Sequence, residues 1–208
     1  MKEQLTDLSC KGFAEALASR ASTPGGGGAA ALAGALGAAL CSMAGNLTLG
    51  RKKYADAEPD IRRLLAEGEQ VRTRLLELVD EDAAAFAPLS RAYGIPKDDP
   101  EREAVLEQAT KAACAAPMEI MEQCARSAAL LEEMLEKGSV MLVSDVGCGA
   151  LCCRAALESA ALNVFVNTRT LRDRDAAAAL ERRADALLAE FVPRAAAVAE
   201  EVRRRLRG

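Results

Sequence analysis

No histidine and no tryptophan occur in these 208 residues, and two tyrosines and four phenylalanines are the whole aromatic complement. The missing histidine excludes Ser-His-Asp and Cys-His catalysis and any histidine-ligated metal within the chain. Acid–base chemistry is left to carboxylates, lysine, tyrosine, cysteine or the substrate itself. The shortage of aromatics shapes the core. Half of the residues are of hydrophobic type, and most of these are alanine and leucine. Small side chains let helices approach closely, but each buries little area. Such a core calls for long helices and a partner subunit to remove enough surface from water.

Positive charge is not in excess. The formal charge is −4, so no net positive field draws the chain to nucleic acid. The basic end at Arg203, Arg204, Arg205 and Arg207 suits a helix C-terminus. No secretory signal is read at the start, and no Cys-x-x-Cys pair occurs. The seven cysteines, Cys10, Cys41, Cys114, Cys124, Cys148, Cys152 and Cys153, are expected to be free thiols in a cytoplasmic protein. They read as small core packers rather than zinc ligands.

Charge is also missing from the whole interval between Arg20 and Arg51. That run is long enough to span a membrane, but it carries Gly, Ala, Ser42, Asn46 and Thr48 and lacks aromatic anchors. With no second candidate span expected, it reads as a helix buried among other helices. It opens on Ser22-Thr23-Pro24-Gly25-Gly26-Gly27-Gly28, where Thr23 is placed to cap and Pro24 to start the helix. Two readings fit these residues. One is a flexible turn before a tightly packed helix; the other is a bare helix N-terminus whose N–H groups hold an anion.

Helical periodicity dominates the rest, and no segment alternates as a strand. Helices are expected over roughly 6–20, 25–49, 57–93, 100–136, 145–168 and 173–206, the fourth kinked by Pro117. The expected fold is all-α: a bundle of about six long helices in a single domain over 1–208.

Polar residues interrupt the apolar stripes. Asp82 lies on the stripe of the third helix, one turn after Leu78 and one before Phe86, whereas Asp80 and Glu81 face elsewhere. A carboxylate there is either a structural ion pair or a group at a wet site whose pKa is raised for acid–base work. On the fifth helix Asp145, Ser159, Asn163 and Asn167 share a face. Asp145 and Asn163 would be ~27 Å apart along its axis, too far to touch one small group unless two sites or two subunits are involved. Asp145 also fits an N-terminal capping role with Ser144, and the asparagines fit bridges between helices. Lys52, Lys53 and Tyr54 follow the second helix, either as dipole-complementing residues or as a donor-rich loop over a pocket.

Four segments together carry a resemblance. They are Thr23-Pro24-Gly25-Gly26-Gly27 with its Ala-rich helix; Asn46 to Tyr54, which includes Leu49-Gly50-Arg51-Lys52-Lys53-Tyr54; Asp80-Glu81-Asp82-Ala83 with Phe86; and Ser144-Asp145-Val146-Gly147 through Asn163 and Asn167. In this order, over nearly the whole chain, they resemble the folate-dependent cyclodeaminase/cyclohydrolase family. That family comprises the C-terminal domain of formiminotransferase-cyclodeaminase and stand-alone methenyltetrahydrofolate cyclohydrolases. One departure is Gly28, where the family pattern leads one to expect serine.

The resemblance implies a helical homodimer with folate sites near the subunit interface. It implies hydrolysis of 5,10-methenyltetrahydrofolate to 10-formyltetrahydrofolate. The alternatives are cyclodeaminase activity, releasing ammonia from 5-formiminotetrahydrofolate, or a non-catalytic folate-binding protein. Tetrahydrofolate derivatives are the expected partners; no metal, further cofactor, nucleic acid or membrane is expected. By motif position, Asp82 is the base or cation stabiliser, Lys52 or Lys53 the donor or tail anchor, and Tyr54 orients a proton. Gly25, Gly26, Gly27 and Gly28 approach the folate closely, and Asp145, Asn163 and Asn167 belong to the substrate-binding set.

Overall fold

A computed structural model describes residues 4–208, and among these every regular element is helical. The elements are α1 (Cys10–Leu17), α2 (Gly26–Thr48), α3 (Glu58–Tyr93), α4 (Arg102–Ala113), α5 (Ala115–Lys137), α6 (Val143–Thr168) and α7 (Arg174–Arg207). Short 3-10 turns at Leu5–Asp7, Lys52–Ala57 and Val140–Leu142 join them. Setting aside α1, six helices of 12 to 36 residues form the bundle; the expected six counted the first helix and joined α4 to α5.

The helix α2 is the axis of the fold, and its glycines explain how. Gly34 meets Cys124 of α5 and Leu75 of α3, Gly37 meets Cys153 and the Gly149 carbonyl of α6, and Gly45 meets Leu65 and Met134. Each lacks a side chain where a neighbouring helix comes in, so α3, α5 and α6 all close on one apolar rod. Pairing of Gly27 with Asp82 and of Gly45 with Leu65 shows that α3 runs antiparallel to α2. Gly26 beside Asn163 and Gly37 beside Gly149 show the same for α6. Ile61, Leu64, Leu75, Leu78, Ile120, Met121, Leu131 and Leu157 fill the space between them. Cys41, Cys114, Cys124 and Cys153 are buried packing groups, and burial pushes Cys41 and Cys153 up to about 12. Cys10 and Cys148 are exposed and Cys152 is half-buried, so the core-packing expectation does not hold for all seven.

Four local expectations need correction. The first helix is only Cys10–Leu17, because Ser9 caps it by accepting from the Gly12 N–H. Thr23 does not cap α2: Gly25 is the N-cap, and no side chain takes a cap hydrogen bond there. The expected helix over 100–136 is two helices, α4 and α5, with the break at Cys114, three residues before Pro117. A second helix besides α2 is also long and apolar enough to cross a membrane, the Val140–Thr168 stretch. Both pack centrally in the bundle, yet both keep one apolar strip outside. Leu36 is 55% exposed and Leu47 48% on α2, and Leu162 is 68% exposed and Val166 61% on α6.

Candidate active site

The N-terminus of α2, the C-terminal half of α3 and the C-terminal part of α6 converge on a cleft of about 220 Å³. Ser22, Thr23, Gly25, Gly26, Gly27, Asp82, Phe86, Ala113, Pro117, Asn163, Val166 and Asn167 line it. Because α2 starts at Gly26 with no side-chain cap, the first N–H groups of the helix are left for whatever lies in front of them.

What lies in front is Asp82. A Cβ on Gly27 would stand 2.6 Å from Oδ2 of Asp82, so only glycine leaves room for the carboxylate. Burial raises the Asp82 pKa above the usual aspartate value, and the Gly28 N–H pulls weakly the other way. Among the described residues no lysine or arginine pairs with it, so the ion-pair reading does not hold. Its neighbours on α3 are committed elsewhere. Asp80 accepts from Leu5 N–H at 2.7 Å and from the Thr6 hydroxyl at 3.1 Å. Glu81 takes Arg74, which also reaches Glu119 of α5.

The two asparagines enter from α6. Asn163 lies against Gly26, where an added Cβ would stand 3.3 Å from Nδ2. Its Nδ2 donates to the Ser159 carbonyl at 2.9 Å. Asn167 Nδ2 donates to the Ala113 carbonyl at 3.0 Å across the α4–α5 break. Beyond Ser22 and Thr23 a second depression of about 500 Å³ runs along α3 past Ala83, Ala87 and Ser90.

The remaining expected site residues are at the other end of the bundle. Lys52, Lys53 and Tyr54 follow the C-terminus of α2, which places them ~34 Å from Gly25 along the helix axis. Tyr54 accepts the Val140 N–H at 3.0 Å, and Lys53 Nζ is 5.5 Å from its ring centre. The Val140 hydrogen bond, chiefly, lowers the Tyr54 pKa. Asp145, in the first turn of α6, belongs to this end too; it does not cap α6, whose N-cap is Leu142. Within one chain the structure therefore gathers Gly25 to Gly28, Asp82, Asn163 and Asn167. It leaves Lys52, Lys53, Tyr54 and Asp145 in a separate group. Ser22, Thr23, Phe86, Ala113, Pro117 and Val166 complete the cleft. Ser22, Thr23 and Phe86 belong to segments singled out in the sequence, and Pro117 also gave a signal: a proline inside a helical pattern leaves the carbonyl four residues earlier without its helical donor.

Comparison with known proteins shows the family. Residues 9–186 match the family model described as formiminotransferase-cyclodeaminase. The chain is 43% identical over 182 residues to methenyltetrahydrofolate cyclohydrolase of Methylorubrum extorquens, covering 86% of this chain and 88% of that protein. It is 32% identical to formimidoyltransferase-cyclodeaminase of Mus musculus, covering 95% of this chain but only 37% of the mouse protein. The crystal structure of formiminotetrahydrofolate cyclodeaminase from Thermotoga maritima superposes with a TM-score of 0.83 at 29% identity, covering 99% of this chain and 98% of that one. The chain belongs to the formiminotransferase-cyclodeaminase family.

Proposed function

We propose that this protein hydrolyses 5,10-methenyltetrahydrofolate to 10-formyltetrahydrofolate, with Asp82 at the chemistry. The observation that carries the reading is a carboxylate held without a cationic partner in a cleft, between the N-terminus of α2 and two asparagine side chains. The methenyl bridge is a cationic amidinium carbon between N5 and N10. An unpaired carboxylate beside it stabilises that cation and accepts the proton of the attacking water. Water adds to the bridge carbon, the C–N5 bond breaks, N5 takes a proton, and the formyl group stays on N10. One proton is released overall. Burial raises the Asp82 pKa, which makes its carboxylate a better proton acceptor than an exposed aspartate. The similarity to the Methylorubrum extorquens cyclohydrolase over most of both chains favours this reaction.

At about 220 Å³ the cleft is smaller than the roughly 300–1,000 Å³ of pockets for drug-sized ligands, so it would hold one end of the folate. The rest would extend over Ser22 and Thr23 or onto a second subunit. A homodimer through the exposed apolar strips of α2 and α6 would supply that subunit. An antiparallel pairing would bring the Lys52, Lys53, Tyr54 and Asp145 group of the partner toward the cleft. Such a protein needs no metal or further cofactor and would work in the cytoplasm. A second reading is favoured by the Thermotoga maritima structure: the same groups would serve cyclodeamination, with N10 attacking the formimino carbon and ammonia leaving.

The test is the absorbance decay of 5,10-methenyltetrahydrofolate with wild type and Asp82→Asn. Acceleration by the wild type alone supports the proposal. No acceleration, with ammonia released from 5-formiminotetrahydrofolate, replaces it with the second reading. Neither product, with folate binding retained, leaves a binding protein.

A further inference from the structure

In a continuous helix the Ala113 carbonyl would accept from the N–H of residue 117, but residue 117 is proline and has none. The ladder resumes one residue later, where Met118 N–H donates to the Cys114 carbonyl at 3.2 Å. The Ala113 carbonyl is taken instead by Asn167 Nδ2 at 3.0 Å. A carbonyl only accepts, so the amide orientation follows from chemistry: the nitrogen faces Ala113, and Oδ1 is the atom left over. Ala113, Pro117 and Asn167 all line the cleft. Asn163 repeats the pattern, one of its two Nδ2 hydrogens taken by the Ser159 carbonyl. Each amide keeps a second hydrogen, and both Oδ1 atoms join the Asp82 carboxylate as acceptors at the cleft.

We propose that Pro117 is a positioning residue: by freeing the Ala113 carbonyl it locks Asn167 with Oδ1 available as an acceptor for the donor edge of the reduced pterin, its N3–H and 2-amino group. This rests on the folate reading above and adds which face of the ligand the cleft selects. Replacing Pro117 by alanine returns an N–H to the helix. The Ala113 carbonyl then has its helical donor, and the Asn167 amide is free to rotate.

The experiment is a cycle of Pro117→Ala, Asn167→Ala and the double variant, reading KM and kcat for 5,10-methenyltetrahydrofolate and thermal stability. Each single change is expected to raise KM about 5- to 10-fold, the worth of one hydrogen bond, with kcat close to wild type. The double variant is expected to be no worse than Asn167→Ala, because Pro117 acts only through Asn167. Pro117→Ala is expected to melt no lower than wild type. A methenyl substrate whose pterin carries 2-methyl in place of 2-amino is expected to raise KM in wild type and to lose that effect in Asn167→Ala. An unchanged KM in Pro117→Ala, or additive effects in the double variant, with the wild type active, overturns this inference and leaves the parent reading standing. A wild type that neither turns over nor binds the folate overturns both.

Discussion

Gly27 and Asp82 contend for one volume: a Cβ on the first would stand 2.6 Å from Oδ2 of the second. The carboxylate can approach the start of α2 only because residue 27 has no side chain. Gly27→Ala forces Asp82 to turn away, while alanine itself is welcome in a helix. Turnover is expected to fall by about 100-fold, since a small misplacement of a reacting group costs that much. Helix content is expected to stay unchanged. Steady-state rates beside circular dichroism check this; wild-type turnover in the variant would remove Asp82 from the mechanism.

Asp82→Asn separates activity from stability through pH. Burial raises the folded-state pKa of Asp82 above its unfolded value. Its contribution to stability is therefore fully present below the unfolded value and is lost as pH rises through the folded one. Asparagine does not suffer that loss. The melting temperatures of wild type and variant are expected to be close in acid and to diverge toward neutral pH, the variant melting higher. Turnover moves oppositely. In the wild type it rises with pH as Asp82 deprotonates, and in the variant it is lower by roughly 10²- to 10⁴-fold. Thermal melts across a pH series, paired with rates, read both.

The crossing of α2 with α6 predicts a change in stability away from the cleft. A Cβ on Gly37 would stand 2.9 Å from the Gly149 carbonyl and would also strike Cys153 Sγ. Backbone cannot rotate away as a flexible side chain can, so the helices must separate. Gly37→Ala is expected to destabilise the fold by about 1–3 kcal/mol, the cost of overpacking a closed core. Urea denaturation measures it.

Much of this architecture is legible in the sequence, and the parts that are not share a physical cause. The bounds of α2 and α3 follow from the uncharged run and from a stripe repeating at 3.6 residues, both local properties of the chain. The same stripe marks Asp82 as an intruder on an apolar face, and the structure puts it in the cleft. The division at Cys114 was harder to see. Pro117 announces a disturbance, but where the ladder fails depends on the carbonyl three to four residues earlier and on Asn167, 54 positions away, which takes it up. The cap at α2 differs from the expectation for a related reason. Thr23 has the right chemistry, but the backbone becomes helical only at Gly26. The motif positions of Lys52, Tyr54 and Asp145 suggest one site with Asp82; the helical pattern over 25–49 and the length of the fifth helix already set them far apart, and linear order does not say whether a second subunit rejoins them.

That separation makes a prediction about assembly. If the partner subunit's Lys52 or Tyr54 serves the cleft holding Asp82, two variants that are each inactive complement one another. Asp82→Asn and Lys52→Ala are each expected to turn over slowly alone. Mixed under conditions that exchange subunits, half of the dimers pair one of each, and within these one cleft has both an intact Asp82 and an intact Lys52. Activity is expected to recover to roughly a quarter of the wild-type level, the share of restored sites in a two-fold assembly. Leu162→Glu, which puts a charge on the exposed strip of α6, is expected to yield monomers by sedimentation and to abolish the recovery. If Lys52 acts instead in its own chain, through the remote end of the same bundle, mixing restores nothing, because every subunit still lacks one of the two residues. The rate of the mixture therefore decides which chain completes the cleft.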